Sequence, residues 1–183
     1  VAIEPQCMLH PNIKIGFDKN GGSVTSQNGV TTVAKIEGDI ETNYATSAIA
    51  SVSGIDFLTN PKIHQEVFGP FSLVVKSKDE NQLVEIIEAL EGQLTGTIIA
   101  ENEDIENLTD IVDALSNRVG RIIFNGVPTG VEVCPSMHHG GPYPASSDSK
   151  FTSVGVDAIY RWVRPVSYQS FPTELLPESL KNN

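Results

Sequence analysis

Three short apolar runs separated by two helical patterns predict an α/β fold, a parallel sheet with flanking helices, in this 183-residue chain. Phe71-Ser72-Leu73-Val74-Val75 is the first run and reads as a buried strand. Asp79 then stands where a cap belongs, before a helix over Glu80–Leu90 with Leu83, Ile86, Ile87 and Leu90 on one face. Gly92 and Gly96 punctuate its end, and Gly96-Thr97-Ile98-Ile99-Ala100 is the second strand. Ile105, Leu108, Ile111, Val112 and Leu115 mark a second amphipathic helix ending near Asn117. Gly120 to Gly126 is the third strand, closed by Asn125-Gly126. Strand, helix, strand, helix, strand with short connections implies right-handed crossovers and a parallel sheet. Ligands of such sheets sit beyond the carboxyl ends of the strands, so the loop after Asn125 is expected to be a site loop.

The flanking segments are less regular. Residues 1–20 are expected to hold a short helix limited by Pro5 or Pro11. Gly21-Gly22-Ser23 through Asn28-Gly29 reads as a surface turn; no Lys-Ser or Lys-Thr follows, so a phosphate loop is not favoured. Val30–Ile36 and Tyr44–Leu58 are rich in β-branched and small residues and read as strands. Residues 127–150 form a long Pro- and Gly-rich loop, a kind that is uncommon inside compact domains and often functional. A short helix is expected within Phe151–Tyr160, capped at Thr152 or Ser153. Arg161–Gln169 alternates like an isolated strand, which points to pairing with a second subunit. Beyond Pro172 the chain reads as a polar tail.

Composition narrows the function classes. With 12 basic and 23 acidic residues the net charge is −11, which argues against a broad nucleic-acid or anionic-membrane surface. No apolar run approaches membrane-spanning length. Cys7 and Cys134 do not make a disulfide framework, so a reducing, cytoplasmic setting is the default. Both thiols are expected to be inert, apolar-like side chains. The start at Val1-Ala2-Ile3 has no initiator Met and reads as a chain entered partway.

The most specific stretch is Gln65-Glu66-Val67-Phe68-Gly69-Pro70. In an extended segment, positions i and i+2 face the same side, so Glu66 and Phe68 can meet one ligand. A carboxylate there accepts hydrogen bonds from a pair of sugar hydroxyls, and a ring covers a flat heterocycle. Gly69 lets the backbone turn and Pro70 fixes it. The plain alternative is a strand end with a solvated Glu and a core Phe. His138-His139 lacks the spacing and partners of a metal site. The pair stands either as substrate-carboxylate ligands or as structural residues. Arg161 and Arg164 suit either an acidic substrate or an interface, and their place on the terminal strand favours the interface. Glu132 reads as solvated or paired, and Lys35, Lys62 and Lys76 form no patch.

This hexapeptide resembles the Glu-x-Phe-Gly-Pro signature of the aldehyde dehydrogenase superfamily. The order of features from about Ala50 to Phe171 is similar to the C-terminal part of that family's catalytic domain. Two strand–helix units, the Gly120–Asn125 strand, the Gly140-Gly141 loop and a terminal strand at Val163–Tyr168 follow the signature in turn. Within the superfamily, Pro128–Val133, His139–Ala145, Thr152–Gly155 and Arg164–Val166 are similar to 2-oxoglutarate semialdehyde (2,5-dioxovalerate) dehydrogenases. The Gly-Gly loop departs from the usual Pro-Phe-Gly-Gly, reading His138-His139-Gly140-Gly141, and residues 1–49 match only loosely.

The resemblance implies that Glu66 holds the nicotinamide ribose of NAD or NADP and that Phe68 packs near the nicotinamide. In that frame Val131 and Thr129 either line the substrate tunnel or are ordinary loop packing, and His139 either binds the substrate's carboxylate beside the Gly-Gly loop or, as favoured, is structural. The family's chemistry needs a cysteine thiolate, a general-base Glu and an oxyanion-hole Asn, all upstream of the signature. Cys7 is too close in sequence to Glu66 to be that nucleophile, and Cys134 lies in the post-strand loop. The expectation is therefore a C-terminal fragment with no catalytic residue of its own and no metal site. Residues 1–160 would be catalytic-domain sequence, and 161–183 an oligomerisation strand and tail. Its partners would be the N-terminal part of the same enzyme, a small aldehyde and further copies of itself. The competing expectation is a non-catalytic assembly or binding module derived from the same family.

Overall fold

The computed structural model describes residues 4–36, 42–128 and 130–181; the first three residues and Thr129, which carry sequence expectations, lie outside them. Helix α1, Pro11–Thr25, follows a two-residue strand β1, Gln6–Cys7. Pro11 opens this helix instead of limiting it, because a first-turn residue needs no amide hydrogen bond. The His10 ring nitrogen accepts from Asn12 N and caps it. The expected turn at Gly21-Gly22 is absent, since the helix runs through both glycines. Its end is held by Thr25 Oγ1, which donates to Gly21 O at 2.8 Å, and by Gln27 Nε2, which donates to Ser23 O at 2.8 Å.

Strand β2 spans Thr31–Lys35, β3 Tyr44–Ala45 and β4 Ala48–Ser53. The extended reading of residues 44–58 fails at its end, where helix α2, Gly54–Thr59, begins. Ser53 caps α2 by accepting from Asp56 N at 3.1 Å, a local bond that outweighs the β-propensity of Ile55 and Phe57. Strand β5, Phe71–Lys76, and helix α3, Glu80–Ala89, follow as the periodicity predicts; strand β6, Gln93–Ile98, starts before the expected Gly96, runs through it and ends short of Ala100. Asp79 caps α3, accepting from Gln82 N at 2.8 Å. The second predicted helix is split: a 3₁₀ segment covers Asn102–Asn107, and helix α4 starts only at Thr109 and ends at Ser116. Strand β7, Val119–Phe124, completes the series.

Sheet pairing departs from one continuous parallel sheet. β4 pairs with β5 in parallel and β6 with β7 in parallel, but β5 and β6 are not paired. β2 joins β4 antiparallel as an edge, giving the order β2-β4-β5. β1 and β3 form a separate, short antiparallel pair. Two apolar clusters match the two sheets that hold the parallel pairs. Val24, Val52, Phe57, Ile63 and Ile86 form one. Ile87, Ile98, Ile111, Ala114, Leu115 and Val119 form the other. Helix α3 contributes to both, because consecutive helical residues point about 100° apart. Ile86 serves the first cluster and Ile87 the second.

After β7 the chain has no strand and no α-helix among the described residues. The expected helix over 151–160 is a 3₁₀ segment, Val156–Arg161. Thr152 is not its cap: its buried hydroxyl donates to Val154 O and accepts from His139 N. Residues 163–168 pair with no strand among the described residues, and 3₁₀ turns occupy Thr173–Leu175 and Glu178–Leu180 of the tail. Among the described residues no helix is long and apolar enough to cross a membrane.

The loop returning from β7 is seated on the starts of β6 and β7 by backbone contact. A Cβ on Gly120 would overlap the Gly140 carbonyl oxygen, and one on Gly92 would overlap that of Pro142. Gly92 N donates to Tyr143 O at 3.2 Å along this seam. Gly120→Ala is expected to cost about 3 kcal/mol, since backbone cannot rotate out of the way as a side chain can. Gly16→Ala, with open space around it inside α1, is expected to gain up to about 1 kcal/mol. Thermal denaturation of the two variants checks the contrast.

Candidate functional site

The segment before β5 turns alternate side chains to opposite sides. A 3₁₀ turn, Pro61–His64, buries Ile63. His64 stacks on Phe57 with ring centroids 4.1 Å apart, and its Nε2 lies 2.8 Å from Phe57 O. The chain then extends. Glu66 is exposed, Val67 packs into the first cluster, and Phe68 is 63% exposed. The reading of Phe68 as a core residue is thereby excluded. Asn20 Nδ2 donates to Glu66 O at 3.2 Å, which ties the backbone of this segment to α1. Gly69 has φ +150°, and a Cβ there would lie 2.5 Å from the Phe17 ring, so only glycine fits the turn.

Glu66 and Phe68 line one groove of about 590 Å³ together with His64, Val67, Ile86 and Leu90. The Glu66 carboxylate makes no ion pair among the described residues. An unpaired carboxylate and an open ring on one groove can accept from a vicinal diol and cover a planar ring. These residues therefore fit the nicotinamide-riboside half of a dinucleotide. They enter at the amino end of β5, not at a strand's carboxyl end as the general rule for such sheets suggested.

The second part of the expected site lies beyond β7. Asn125 has φ 47°, a conformation that Asn tolerates better than most residues. Its Oδ1 accepts from Ala100 N at 2.9 Å and its Nδ2 donates to Ala100 O at 2.8 Å. One amide thus clamps the carboxyl ends of β6 and β7, beside a cleft lined by Ile99, Glu101, Asp104 and Val127. In the following loop Val131 is exposed. His139 is half-buried and engaged through its backbone: its N donates to Thr152 Oγ1 at 2.9 Å and its O accepts from Ser153 N at 3.0 Å. The His138 ring lies against Gly120 and Gly140. No described residue of the 127–150 loop lines the groove of Glu66 and Phe68, so the two halves of the expected site face separate surfaces.

The remaining candidates are dispersed. Glu132, Arg161 and Arg164 are exposed, with Arg161 over its neighbour Trp162 at 5.8 Å. Cys7 is exposed and Cys134 half-buried, so neither is the buried apolar thiol expected. No three His, Cys, Asp or Glu side chains among the described residues converge as metal ligands. Sequence reasoning passed over Arg121. Its guanidinium reaches the loop after β7 and donates to Gly130 O at 3.0 Å and Met137 Sδ at 3.4 Å. A charged residue inside an otherwise apolar strand was the available signal.

The frame carrying these features is the α/β fold of the aldehyde dehydrogenases. The solved delta-pyrroline-5-carboxylate dehydrogenase of Mycobacterium tuberculosis superposes with a TM-score of 0.65 at 18% identity, covering 94% of this chain and 32% of that one. The NADP⁺ complex of succinic semialdehyde dehydrogenase from Streptococcus pyogenes gives 0.57 at 20% identity, covering 74% and 28%. In sequence the chain is 40% identical over 176 residues to alpha-ketoglutaric semialdehyde dehydrogenase 2 of Azospirillum brasilense. That match takes in 96% of this chain and 34% of the relative, so the chain spans about a third of the enzyme it resembles. No protein-family model matches it.

Substitution separates the two kinds of site residue. Phe68→Ala and Glu66→Gln are expected to shift stability by no more than about 0.5 kcal/mol, as neither group is buried or paired. Asn125→Ala is expected to cost about 2 kcal/mol through two lost hydrogen bonds and an unfavourable positive φ, with Asn125→Gly costing less. Urea denaturation of the variants measures both.

Proposed function

We propose that this chain is the C-terminal part of an NAD(P)-dependent aldehyde dehydrogenase that oxidises 2-oxoglutarate semialdehyde to 2-oxoglutarate. In this reading residues 1–160 belong to the catalytic domain, and residues 161–183 are an oligomerisation strand and tail. The observation that carries it is the free carboxylate of Glu66 and the open ring of Phe68 on one groove, in a chain 40% identical to an alpha-ketoglutaric semialdehyde dehydrogenase. Glu66 holds the ribose hydroxyls of the cofactor, and Phe68 shields the face of its nicotinamide. When bound, the cofactor accepts the hydride that the aldehyde carbon loses. Val131 and His139, on the loop beyond β7, line the path of the aldehyde. The nucleophilic cysteine and the general base come from polypeptide outside this chain, which alone is inactive. Cys7 and Cys134, both free thiols, suit a reducing, cytoplasmic setting.

A second reading, a non-catalytic assembly module, is favoured by one feature. The unpaired segment after Arg161 exposes Trp162 at 81%, together with Val163 and Val166. Such an edge suits pairing with another copy.

Aldehyde-dependent NAD(P)H production separates the readings when the complete gene product and this chain are assayed side by side with 2-oxoglutarate semialdehyde. Turnover is expected from the complete protein only. Glu66→Gln there is expected to raise the KM for NAD(P)⁺ about tenfold, the scale of one charge-assisted hydrogen bond. Turnover by neither protein, with both folded, overturns the substrate assignment and favours the assembly module. An unchanged cofactor KM overturns the role of Glu66.

A further inference from the structure

Arg121 is the residue that the reading above leaves without a task. It sits in the middle of β7 opposite Thr95. Its Nη1 donates to Gly130 O and to Met137 Sδ, one on each side of the exposed stretch that holds Val131. The other hydrogen bonds recorded for the described residues between Val127 and Met137 stay inside the loop: Met137 N to Cys134 O, and Cys134 Sγ with Ser136 Oγ. The guanidinium is thus the one polar tie from this stretch to the sheet among the described residues. Its Nε is buried with no hydrogen-bond partner, and no carboxylate among the described residues pairs with it. A guanidinium whose Nε is buried without a partner is costly unless the contacts it does make matter to the fold or the site. A neutral residue would fill the same strand position without that cost.

We propose that Arg121 is a positioning residue for the aldehyde, fixing the Gly130–Met137 loop so that Val131 holds its place in the substrate path. This rests on the reading of that loop as the substrate side of the site. The Nη1 amino group, held in the guanidinium plane, directs its two N–H donors to a backbone carbonyl and a thioether from opposite ends of the loop. Arg121 touches neither substrate nor cofactor; it acts through the backbone of Gly130.

Two measurements test it in the complete gene product, on Arg121→Met and Arg121→Ala. The first is cleavage after Glu132 by a glutamyl-specific protease under native conditions. An approximately tenfold faster cut in Arg121→Met is expected, with far-UV dichroism and melting otherwise retained. An unchanged rate overturns the proposal whatever the substrate proves to be. The second is steady-state kinetics with any aldehyde that the unaltered enzyme turns over. The KM for that aldehyde is expected to rise about tenfold, while kcat and the KM for NAD(P)⁺ stay within about twofold. Added guanidinium ion is expected to lower the aldehyde KM of Arg121→Ala. A purely structural role would instead reduce the amount of active enzyme and leave the aldehyde KM untouched, and that result overturns the proposal. Failure of 2-oxoglutarate semialdehyde as a substrate of the unaltered enzyme overturns the substrate assignment alone, since the protease assay still reads the loop.

Discussion

Helix α3 is the part on which the rest of the structure depends. Ile86 and Ile87 follow one another in the chain but belong to different apolar clusters. Leu90 reinforces the first cluster, and Leu83 and Val84 the second. Since the β4–β5 and β6–β7 pairs share no ladder, this one helix is where the two cores meet. A helix does this readily: side chains at neighbouring positions diverge by about 100°, so two adjacent stripes can each take a sheet. Gln82, only 7% exposed, extends the first stripe. It sits over Gly54, where a Cβ would meet its Oε1, and that oxygen accepts from Lys78 N at 2.9 Å. A buried amide here is tolerated because the turn before the helix satisfies it.

Around β7 the ordering principle is backbone against backbone. Gly92, Gly120 and Gly141 each stand where a Cβ would strike a carbonyl oxygen. The loop therefore lies directly on the strands, with little side chain between. Such a seat has few degrees of freedom. Its remaining slack is taken up by Ser146, whose Oγ donates to Gly141 O at 2.6 Å, and by the pairing of His139 with Thr152 and Ser153. The part of the loop that is not seated, between Val127 and Met137, is the part read as lining the substrate path. Anchoring at the Gly-Gly end and reach at the Val131 end divide the loop between stability and recognition.

Legibility followed the range of the forces involved. β5, α3 and β7 were readable because short-range patterns set them: an apolar run, an Asp cap with helical spacing, an Asn-Gly stop. Helix α1 through Gly21-Gly22 was not, since two glycines read as a turn. What holds the helix there is a pair of side-chain bonds to its last carbonyls and the packing of Val24, 1% exposed, into the first cluster. Residues 54–58 read as strand by propensity, and one Ser–Asp cap reversed that. The missing β5–β6 ladder could not be read at all, because an alternation of strands and helices says that a sheet is parallel but not which strands are neighbours. Of the site, Glu66 and Phe68 were legible through period-2 alternation, which the burial of Val67 between them bears out. Asn125 was legible only as a strand end. Its clamp on Ala100 depends on a contact 25 positions away in sequence.

The same geometry links two surfaces that share no pocket. The groove of Glu66 and Phe68 has Ile86 and Leu90 of α3 in its wall. The sheet that carries the loop beyond β7 packs on Ile87, the next residue of that helix. The groove and the sheet that carries the loop beyond β7 are thus joined through one helix, not through a shared cavity. A rigid spacer of this kind keeps two binding surfaces at a fixed separation while each varies its own side chains.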